Sequence, residues 1–314
     1  MTRVIVDSDA GIDDALALLY LIRSPAAEIV AIGSVQGNVP TEVAARNLLR
    51  TLEIDGIEIP VALGAARPLA QPLTTIEGIH GQDGLGNTGQ PAPARSVLEG
   101  ESAAEQMVRL ARSRPGELDL LTLGPLTNLA LAIGLEPGLP SLLGRVVTMG
   151  GAFAVAGNVT THAEWNVWAD PEAAQLVLEA GFDQTWVGLD VTTQSFLEDH
   201  HLNRLHSSGD PAGQFAGAIL DHIFKVVEDL HGARLCHLHD PLAAGVLLDP
   251  SLVACRELEV RVELRGTATR GMTVADLRGL RAAGDWPRTK VAMEVEGARF
   301  RDRFLAALAP DTGN

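Results

Sequence analysis

The chain alternates short apolar runs rich in β-branched residues with longer apolar runs of helical length. Residues 4–6 are typical of a buried strand, and residues 15–22 have the length and apolar content of a buried helix. Further strand-like runs are expected at residues 28–35, 118–123, 145–149, 185–189 and 258–264. This alternation predicts βαβ units and therefore a single open, mostly parallel, Rossmann-like α/β sheet flanked by helices. Ligands of such folds bind at the carboxyl ends of the strands, so we expect the active site there.

Four carboxylates, those of Asp7, Asp9, Asp13 and Asp14, fall within eight residues after the first predicted strand. The pattern places them in a strand-to-helix turn, where a helix N-terminus favours negative charge. Like charges so close together raise one another's pKa or require a cation between them. We interpret the cluster as a divalent-metal site with a catalytic base. In the simpler alternative, Asp13 and Asp14 only occupy the first helical turn, while Asp7 and Asp9 are solvated.

Length and charge narrow the possible functions. A chain of 314 residues suits one large α/β domain or two ordinary ones. Because the turns that follow the predicted strands should meet at one sheet edge, we expect a single catalytic domain over residues 1–314. The formal net charge of −16 argues against nucleic acid or an anionic membrane as partner. No stretch resembles a signal peptide or a membrane span, so we expect a cytoplasmic protein that acts on a small molecule.

Three further polar segments could carry chemistry. Residues 68–93 read as a long loop, and loops of that length are usually functional. Glu164 and Asn166 lie next to Trp165 and Trp168, and polar side chains beside tryptophans suit a sugar, which has polar edges and apolar faces. In extended backbone, residues two apart such as Glu164 and Asn166 point the same way. Asn158 precedes them. For Asp170 we expect only a cap of the helix that begins at Pro171.

A histidine-rich segment precedes another apolar run. His239 could serve as acid to a leaving group, and Asp240 could complete a metal shell with the distant acids. The alternative is that Asp240 only caps a helix before a proline. His222 and His231 are expected on a preceding helix, and the sequence assigns no role to these two or to His237.

The chain contains two cysteines, Cys236 and Cys255. Their number and spacing fit neither a disulfide framework nor a zinc site. We expect both to be packing residues, and a place in the pocket stays open for Cys236 because it lies close to the segment of His239.

A set of short motifs runs in order along nearly the whole chain. They are Asp7-Ser8-Asp9-Ala10-Gly11-Ile12-Asp13-Asp14, Gly37-Asn38, His80-Gly81-Gln82-Asp83-Gly84-Leu85-Gly86, Gly124-Pro125-Leu126-Thr127-Asn128, Met149-Gly150-Gly151, Gly157-Asn158-Val159-Thr160, Ala163-Glu164-Trp165-Asn166 and His239-Asp240-Pro241. Each motif alone is a weak signal, but the ordered set resembles the inosine-uridine preferring nucleoside hydrolases, of the type that bears a histidine at the leaving group.

The resemblance implies calcium-dependent hydrolysis of the N-glycosidic bond of ribonucleosides to ribose and free nucleobase. It implies that Ca²⁺ is held by Asp9, Asp14, Asp240 and the backbone carbonyl of Leu123, that Asp9 also acts as general base, and that His239 protonates the leaving base. The substrate-binding residues that it implies are Asp13, Asn38, His80, Met149, Asn158, Glu164 and Asn166. It also implies a homodimer or homotetramer.

Two features depart from the family pattern. Ala10 replaces the usual proline of the acid motif, which removes a backbone restraint but no ligand. The chain has one tyrosine, Tyr20, in a predicted buried helix, so no tyrosine is available near the leaving base. The sequence therefore leaves the choice between purine and pyrimidine bases open.

Two other functions remain compatible with parts of the sequence. Asp7 and Asp9 after a strand could be the nucleophile and acid of a magnesium-dependent phosphatase resembling the haloacid dehalogenases. The hydroxyl-binding residues could instead belong to a calcium-stabilised protein that binds a sugar or nucleoside without turnover. Neither alternative explains Asp9 together with His239.

Overall fold

The computed structural model describes residues 1–278 and 286–310, so the expected domain limit at residue 314 lies outside the described residues. The main-sheet strands are β1 (Thr2–Ser8), β2 (Ala27–Ser34), β3 (Val61–Ala62), β4 (Asp119–Thr122), β5 (Arg145–Met149), β6 (Asp183–Val187), β9 (Val253–Val262), β10 (Thr273–Ala275) and β11 (Arg288–Val295). A separate two-stranded sheet is formed by β7 (Phe196–Glu198) and β8 (Leu235–His237).

Helices connect these strands and cover the main sheet. They are α1 (Ile12–Arg23), α2 (Thr41–Ile54), α3 (Glu77–His80), α4 (Ala103–Ser113), α5 (Thr127–Leu135), α6 (Trp165–Ala169), α7 (Pro171–Glu179), α8 (Leu189–Thr192), α9 (Asp199–His206), α10 (Pro211–His231), α11 (His239–Leu248) and α12 (Gly297–Leu308), with 3₁₀ helices at Leu139–Ser141 and Pro250–Leu252. The expected long loop over residues 68–93 is present and contains only the short α3.

The main sheet has the order β10-β9-β11-β6-β5-β4-β1-β2-β3. Its pairs are parallel from β11 through β6 to β3, and β9 pairs antiparallel with both β10 and β11. The predicted mostly parallel α/β sheet is confirmed. Two predicted strand boundaries are wrong: the strand expected at 258–264 is β9, which begins at Val253 and runs antiparallel, and Leu189 belongs to α8 because the strand before it ends at Val187.

The core lies on both faces of the sheet. Val4 and Val6 of β1 face one buried cluster and Ile5 faces the other, as the alternation of side chains along a strand requires. Helix α1 is buried along nearly its whole length, because it packs against α2, α11 and α12. A helix covered on most sides shows no clear apolar stripe in its sequence, which explains the continuous apolar run of α1.

The two cysteines differ in their surroundings. Cys236 is buried, as expected for a packing residue. The same expectation for Cys255 is wrong, because this residue is exposed in the amino-terminal half of β9, where residues 254–257 face solvent.

Strand β1 lies where the chain changes direction across the sheet. Its neighbours are β2 on one side and β4 on the other, so the chain winds outward from β1 in both directions. Such a point leaves a crevice at the carboxyl ends of the strands, where the turns after β1, β2 and β4 approach one another. Among the helices within residues 1–278 and 286–310, none combines the length and apolar character that a membrane span needs.

Candidate active site

The acid turn, residues 7–14, lies at this crevice. Asp7 is the second-last residue of β1, Asp9 lies between β1 and α1, and Asp14 lies in the first helical turn of α1. The side chains of these three residues are buried, with Asp9 fully inaccessible and the other two 1% exposed. The alternative in which Asp7 and Asp9 are solvated loop charges is therefore wrong.

Asn38, in the turn after β2, ties two of the acids together. Its backbone N–H donates to Asp9 Oδ2 at 2.7 Å, and its Nδ2 lies 3.1 Å from both Asp9 Oδ1 and Asp14 Oδ2. The neighbouring Gly37 makes this approach possible, since a Cβ at that position would lie 2.0 Å from Asp9 Oδ2. The predicted convergence of the turns after β1 and β2 is present.

Ala10 adopts a left-handed conformation, with φ of 51°, in the middle of the acid turn. In this conformation its N–H donates to Ser8 Oγ at 3.1 Å, and Ser8 Oγ donates to Asp14 Oδ1 at 2.6 Å. A proline could neither reach this φ nor donate, because its ring fixes φ near about −65° and it has no N–H. The replacement of proline by Ala10 therefore does more than remove a restraint: it supplies a donor that orients Ser8 toward Asp14.

The distant Asp240 joins the acid turn. One carboxylate oxygen each from Asp13, Asp14 and Asp240 lie within 4.8 Å of one another. Helix α11 begins at His239 with Leu238 as its N-cap, so Asp240 lies inside the first turn and is not the N-cap, contrary to the simpler alternative for this residue. The resemblance implies that Asp13 binds the ribose. Its carboxylate is nevertheless close enough to Asp14 and Asp240, two implied calcium ligands, to share a cation with them.

Burial and mutual repulsion disfavour the ionised form of these carboxyl groups and so raise their pKa values. Burial raises the pKa of Asp13 to about 6 and raises the pKa of Asp9 and Asp240 well above the ordinary value. Burial and the charge of Asp13 raise the pKa of Asp14. The Asp13 Oδ1 atom is buried without a hydrogen-bond partner. A divalent cation fits this cluster, because it would neutralise the repulsion and engage the unpartnered oxygen of Asp13.

Asp7 lies behind the cluster. Its Oδ1 accepts a hydrogen bond from Asn128 Nδ2 at 2.8 Å, and the same Nδ2 lies 2.9 Å from the carbonyl of Ser34. Burial raises the pKa of Asp7 to about 7, and its Oδ2 has no partner. Asp7 therefore supports the turn and is oriented by Asn128, a residue whose role the sequence did not indicate.

Asn166 connects the ends of β4 and β5. Its Nδ2 donates to the carbonyl of Leu123 at 2.7 Å and lies 3.2 Å from the carbonyl of Met149. The Leu123 carbonyl, an implied metal ligand, keeps its second lone pair. Asn166 is in the first turn of α6, which brings its amide beside Leu123, the residue that follows β4.

Glu164 is the N-cap of α6: its own backbone is extended, but the helix begins at the next residue, Trp165. Its carboxylate accepts hydrogen bonds from the backbone N–H groups of Asn166 at 3.0 Å and Gly151 at 2.9 Å. The expectation that Glu164 and Asn166 point the same way from extended backbone is wrong, because a helix begins between them. The cap instead holds the turn after β5 against α6.

Asn158 and Asp170 lie on either side of this helix. Asn158 is exposed, and its Oδ1 accepts a hydrogen bond from the N–H of Trp165 at 3.0 Å. Asp170 caps α7 by accepting from the N–H of Ala173 at 3.1 Å, as the sequence predicts, and it also accepts from Thr127 Oγ1 at 2.7 Å. Asp170 is therefore structural.

Two imidazoles, those of His80 and His239, lie near the acid turn. His80 Nδ1 accepts the backbone N–H of Ile12 at 3.1 Å, so the ring proton of neutral His80 is on Nε2. His239 Nδ1 lies 2.7 Å from Thr192 Oγ1. Burial lowers the pKa of His80 to about 4 and that of His239 to about 3, so both rings are neutral at pH 7.

The other histidines surround this pair at different depths. His222 of α10 is half-buried, its Nε2 has no partner, and its charge would disfavour protonation of His80. His237 is half-buried, with ring centroids 6.1 Å from Phe196 and 5.4 Å from His239. His231 is exposed at the end of α10. His222 and His237 therefore flank the pair, and His231 does not.

The fold and the site together define a hydrolase of the α/β class with an acidic centre that suits a cation. The chain belongs to the family of the inosine-uridine preferring nucleoside hydrolases, whose family model matches residues 4–302. It is an N-ribosyl hydrolase, an enzyme that hydrolyses ribonucleosides to ribose and free base. The family predicted from the ordered motifs is confirmed.

Similar proteins support this assignment along the whole chain. The "Probable uridine nucleosidase 2" of Arabidopsis thaliana is 37% identical over 94% of this chain and 93% of its own length. The "Pyrimidine-specific ribonucleoside hydrolase RihA" of Salmonella typhi is 36% identical over 97% of each chain. The solved structure titled "Plant nucleoside hydrolase - PpNRh1 enzyme" matches with a TM-score of 0.94 and 33% identity, covering 98% of this chain and 99% of that one.

Proposed function

We propose that this chain is a calcium-dependent ribonucleoside hydrolase whose acid turn activates the attacking water and whose imidazoles of His80 and His239 receive the leaving base. The observation that carries the proposal is the group of buried Asp9, Asp14 and Asp240 and half-buried Asp13, with neutral His80 beside it. His80 Nδ1 lies 3.9 Å from Asp13 Oδ1, and a neutral ring does not offset the acids.

The cation would be held by Asp9, Asp14, Asp240 and the carbonyl of Leu123. Calcium prefers six to eight oxygen ligands, and carboxylates with a backbone carbonyl are typical of its sites. When bound, the ion supplies a water of lowered pKa at the acid turn. The hydrogen bonds that Ser8 and Gly11 make to the two oxygens of Asp14, at 2.6 and 2.9 Å, keep its carboxylate oriented.

Asp9 is the proposed general base. Asn38 holds both of its oxygens, and its raised pKa brings it closer to the range in which a carboxylate accepts a proton efficiently. Removal of a proton from water by Asp9 would allow attack at C1′ as the bond to the base breaks, through an oxocarbenium-like transition state.

The remaining polar residues would bind the ribose. Asp13, Asn38 and Asn166 are proposed to bind the 2′ and 3′ hydroxyls, and Glu164, Asn158 and Met149 the 5′ end. Interactions with parts of the sugar that do not react orient C1′ toward the water.

His239 is the proposed donor to the leaving base, with His80 as a second contact. Contact of His239 Nδ1 with Thr192 Oγ1 leaves Nε2 of the ring for the base. His80 offers an Nε2–H, because its Nδ1 accepts from Ile12. With Thr192 Oγ1 as the donor to His239 Nδ1, the ring proton of His239 would lie on Nε2, and two neutral N–H groups would then face a base whose departing nitrogen gains negative charge.

The proposal also covers the substrate, the cellular location and the oligomeric state of the enzyme. The two curated relatives described above are named for uridine and for pyrimidine nucleosides, which supports uridine as a substrate of this chain. We propose a single catalytic domain over residues 1–314 that acts in the cytoplasm as a homodimer or homotetramer, as the motif resemblance implies.

A nucleoside panel tests the proposal. We expect purified protein to release free base and ribose from uridine, and chelation followed by dialysis to abolish release until Ca²⁺ is restored. Release of orthophosphate from phosphomonoesters, with nucleosides untouched, would instead support the phosphatase. Tight ribose binding without turnover of uridine, cytidine, inosine or adenosine would support the binding protein.

A further inference from the structure

A buried amide on α2 joins two parts of the active site that are far apart in the sequence. Asn47 is fully inaccessible to solvent. Its Nδ2 donates to the carbonyl of Ala10 at 3.2 Å and to the carbonyl of Asp83 at 2.8 Å, and its Oδ1 accepts from Arg50 at 3.2 Å. Because both carbonyls can only accept, Nδ2 must be the atom that faces them. Both N–H groups of Asn47 Nδ2 therefore have an acceptor, and its Oδ1 has a donor.

The two carbonyls belong to the two halves of the site. Ala10 is in the acid turn, and Asp83 is in the loop that carries His80. The same two segments meet a second time where the N–H of Ile12 donates to His80 Nδ1 at 3.1 Å. Asn47 can approach Asp83 because residue 84 is glycine, since a Cβ there would lie 2.7 Å from Asn47 Nδ2.

The loop around His80 is held together by its own hydrogen bonds. Asp83 Oδ1 accepts from the N–H groups of Leu85 and Asn87, each at 2.8 Å, and Asn87 Oδ1 accepts from the N–H of Gln82 at 2.7 Å. A contact with the Asp83 carbonyl therefore restrains the whole loop. The carboxylates of the acid turn have separate anchors in Ser8, Gly11 and Asn38, described above.

We infer that Asn47 is a positioning residue, which holds the His80 loop against the acid turn. In this arrangement the Ile12 N–H donates to His80 Nδ1, so the ring keeps its proton on Nε2, the nitrogen that faces the leaving base. The inference rests on the proposed function and extends it to a residue outside the motifs. Without the Asn47 amide, the loop can separate from the turn, His80 Nδ1 loses the Ile12 N–H, and both ring tautomers become populated. The acids keep their own anchors, so the defect should be confined to base departure.

The test compares two substrates on Asn47→Ala and on the nearly isosteric Asn47→Asp, which keeps the volume but removes both donors. Uridine needs its base protonated, whereas 4-nitrophenyl riboside releases a stable phenolate. We expect kcat/KM for uridine to fall about 100-fold and that for the aryl riboside less than about fivefold. Calcium affinity should change less than about threefold, because no ligand is altered. Thr51→Val removes a hydroxyl that donates to the backbone carbonyl of Asn47 at 2.9 Å but leaves the Asn47 side-chain amide in place, and it should leave both substrates within about twofold.

A spectroscopic measurement separates positioning from general loss of structure. In the wild-type protein the ¹⁵N resonances of His80, assigned by comparison with His80→Asn, should show a protonated Nε2 and an unprotonated Nδ1. In Asn47→Ala they should shift toward a tautomer average. If the Asn47 variants do not fold, Gly84→Ala should cause the same selective loss on uridine, because its Cβ would lie 2.7 Å from Asn47 Nδ2 and its φ of 76° strains alanine, so the contact between the amide and the loop must shift.

Equal losses on both substrates, or an unchanged His80 tautomer with an unchanged ratio of the two kcat/KM values, would overturn the inference. A wild-type protein that hydrolyses neither substrate would overturn the proposed function instead. The two failures are therefore distinguishable.

Discussion

At the scale of single residues, hydrogen-bond partners distinguish side chains that look equivalent in the sequence. Asp7 and Asp9 are two positions apart and both are buried, but Asn128 holds Asp7 behind the turn and Asn38 holds Asp9 beside Asp14. The first is therefore expected to support the turn and the second to react.

Asp9→Asn tests this distinction. We expect turnover of uridine to fall by about 10²–10⁴-fold, because an amide cannot take the proton from water. The melting temperature should stay within a few degrees, since asparagine keeps the shape of the side chain. Single-turnover release of uracil and thermal melting by circular dichroism are the measurements. Asp7→Asn is the matched control and should retain turnover within about tenfold; an active Asp9→Asn enzyme would exclude Asp9 as the base.

At the scale of elements, the site depends on turns at the ends of strands that allow close approach. The turn after β2 reaches Asp9 only because Gly37 has no side chain, and the turn after β5 is held to α6 by the cap at Glu164. The strands and the glycine-rich turns were predictable from local pattern. The hydrogen bond from Gly151 to the cap residue Glu164 could not be predicted in this way, because it joins two different turns and because the alternation of polar residues suggested extended backbone.

Gly37→Ala tests the role of the turn after β2. A Cβ would lie 2.0 Å from Asp9 Oδ2, so either the turn or the carboxylate must move. We expect kcat/KM to fall at least about 100-fold, the cost of a displaced catalytic group, together with weaker calcium binding.

Gly134→Ala in α5 is the matched control, because nothing lies within 4 Å of its added Cβ. It should keep full activity and raise the free energy of unfolding by about 0.5–1 kcal/mol, since glycine is unfavourable inside a helix. Kinetics with uridine and urea denaturation of both variants provide the comparison. Normal activity of Gly37→Ala would show that the turn can yield without moving Asp9.

At the scale of the whole molecule, the fold concentrates buried acids at the centre of its sheet. β1 supplies the turn, and α11 brings Asp240 to it from more than two hundred residues away in the chain. The pKa of Asp7 is raised to about 7 and that of Asp13 to about 6, both through burial. This concentration of buried carboxyls links the stability of the protein to pH and to metal.

The linkage predicts that calcium changes how the stability of the protein depends on pH. Above about pH 4 the unfolded chain has lost the protons that folded Asp7 and Asp13 still carry, so each of these two groups lowers the stability of the metal-free protein by about 1.4 kcal/mol per pH unit until its folded pKa is reached. His80 and His239 act in the opposite direction up to about pH 6.5, because they are neutral in the folded protein while the unfolded chain still binds their protons. Calcium requires the ionised acids, so its stabilisation should grow over the same range.

Melting temperatures from pH 4.5 to 8, measured on chelator-treated and calcium-loaded protein, check this prediction. Asp7→Asn removes one carboxyl group of raised pKa, so the metal-free melting temperature of this variant should rise relative to that of the wild type as pH increases from 4.5 to 7. A difference between the two proteins that does not change with pH would contradict the raised pKa of Asp7.

The sequence by itself determined the α/β class, the position of the acids at a strand end and the family, because periodicity, residue propensity and ordered motifs are local properties of the chain. It could not determine the proximity of Asp13 to Asp240, the left-handed Ala10 that orients Ser8, the support of Asp7 by Asn128, or the bridge made by Asn47. Each of these depends on which backbone groups meet across the sheet. Only the packed tertiary structure decides this, because burial forces distant polar groups to find partners.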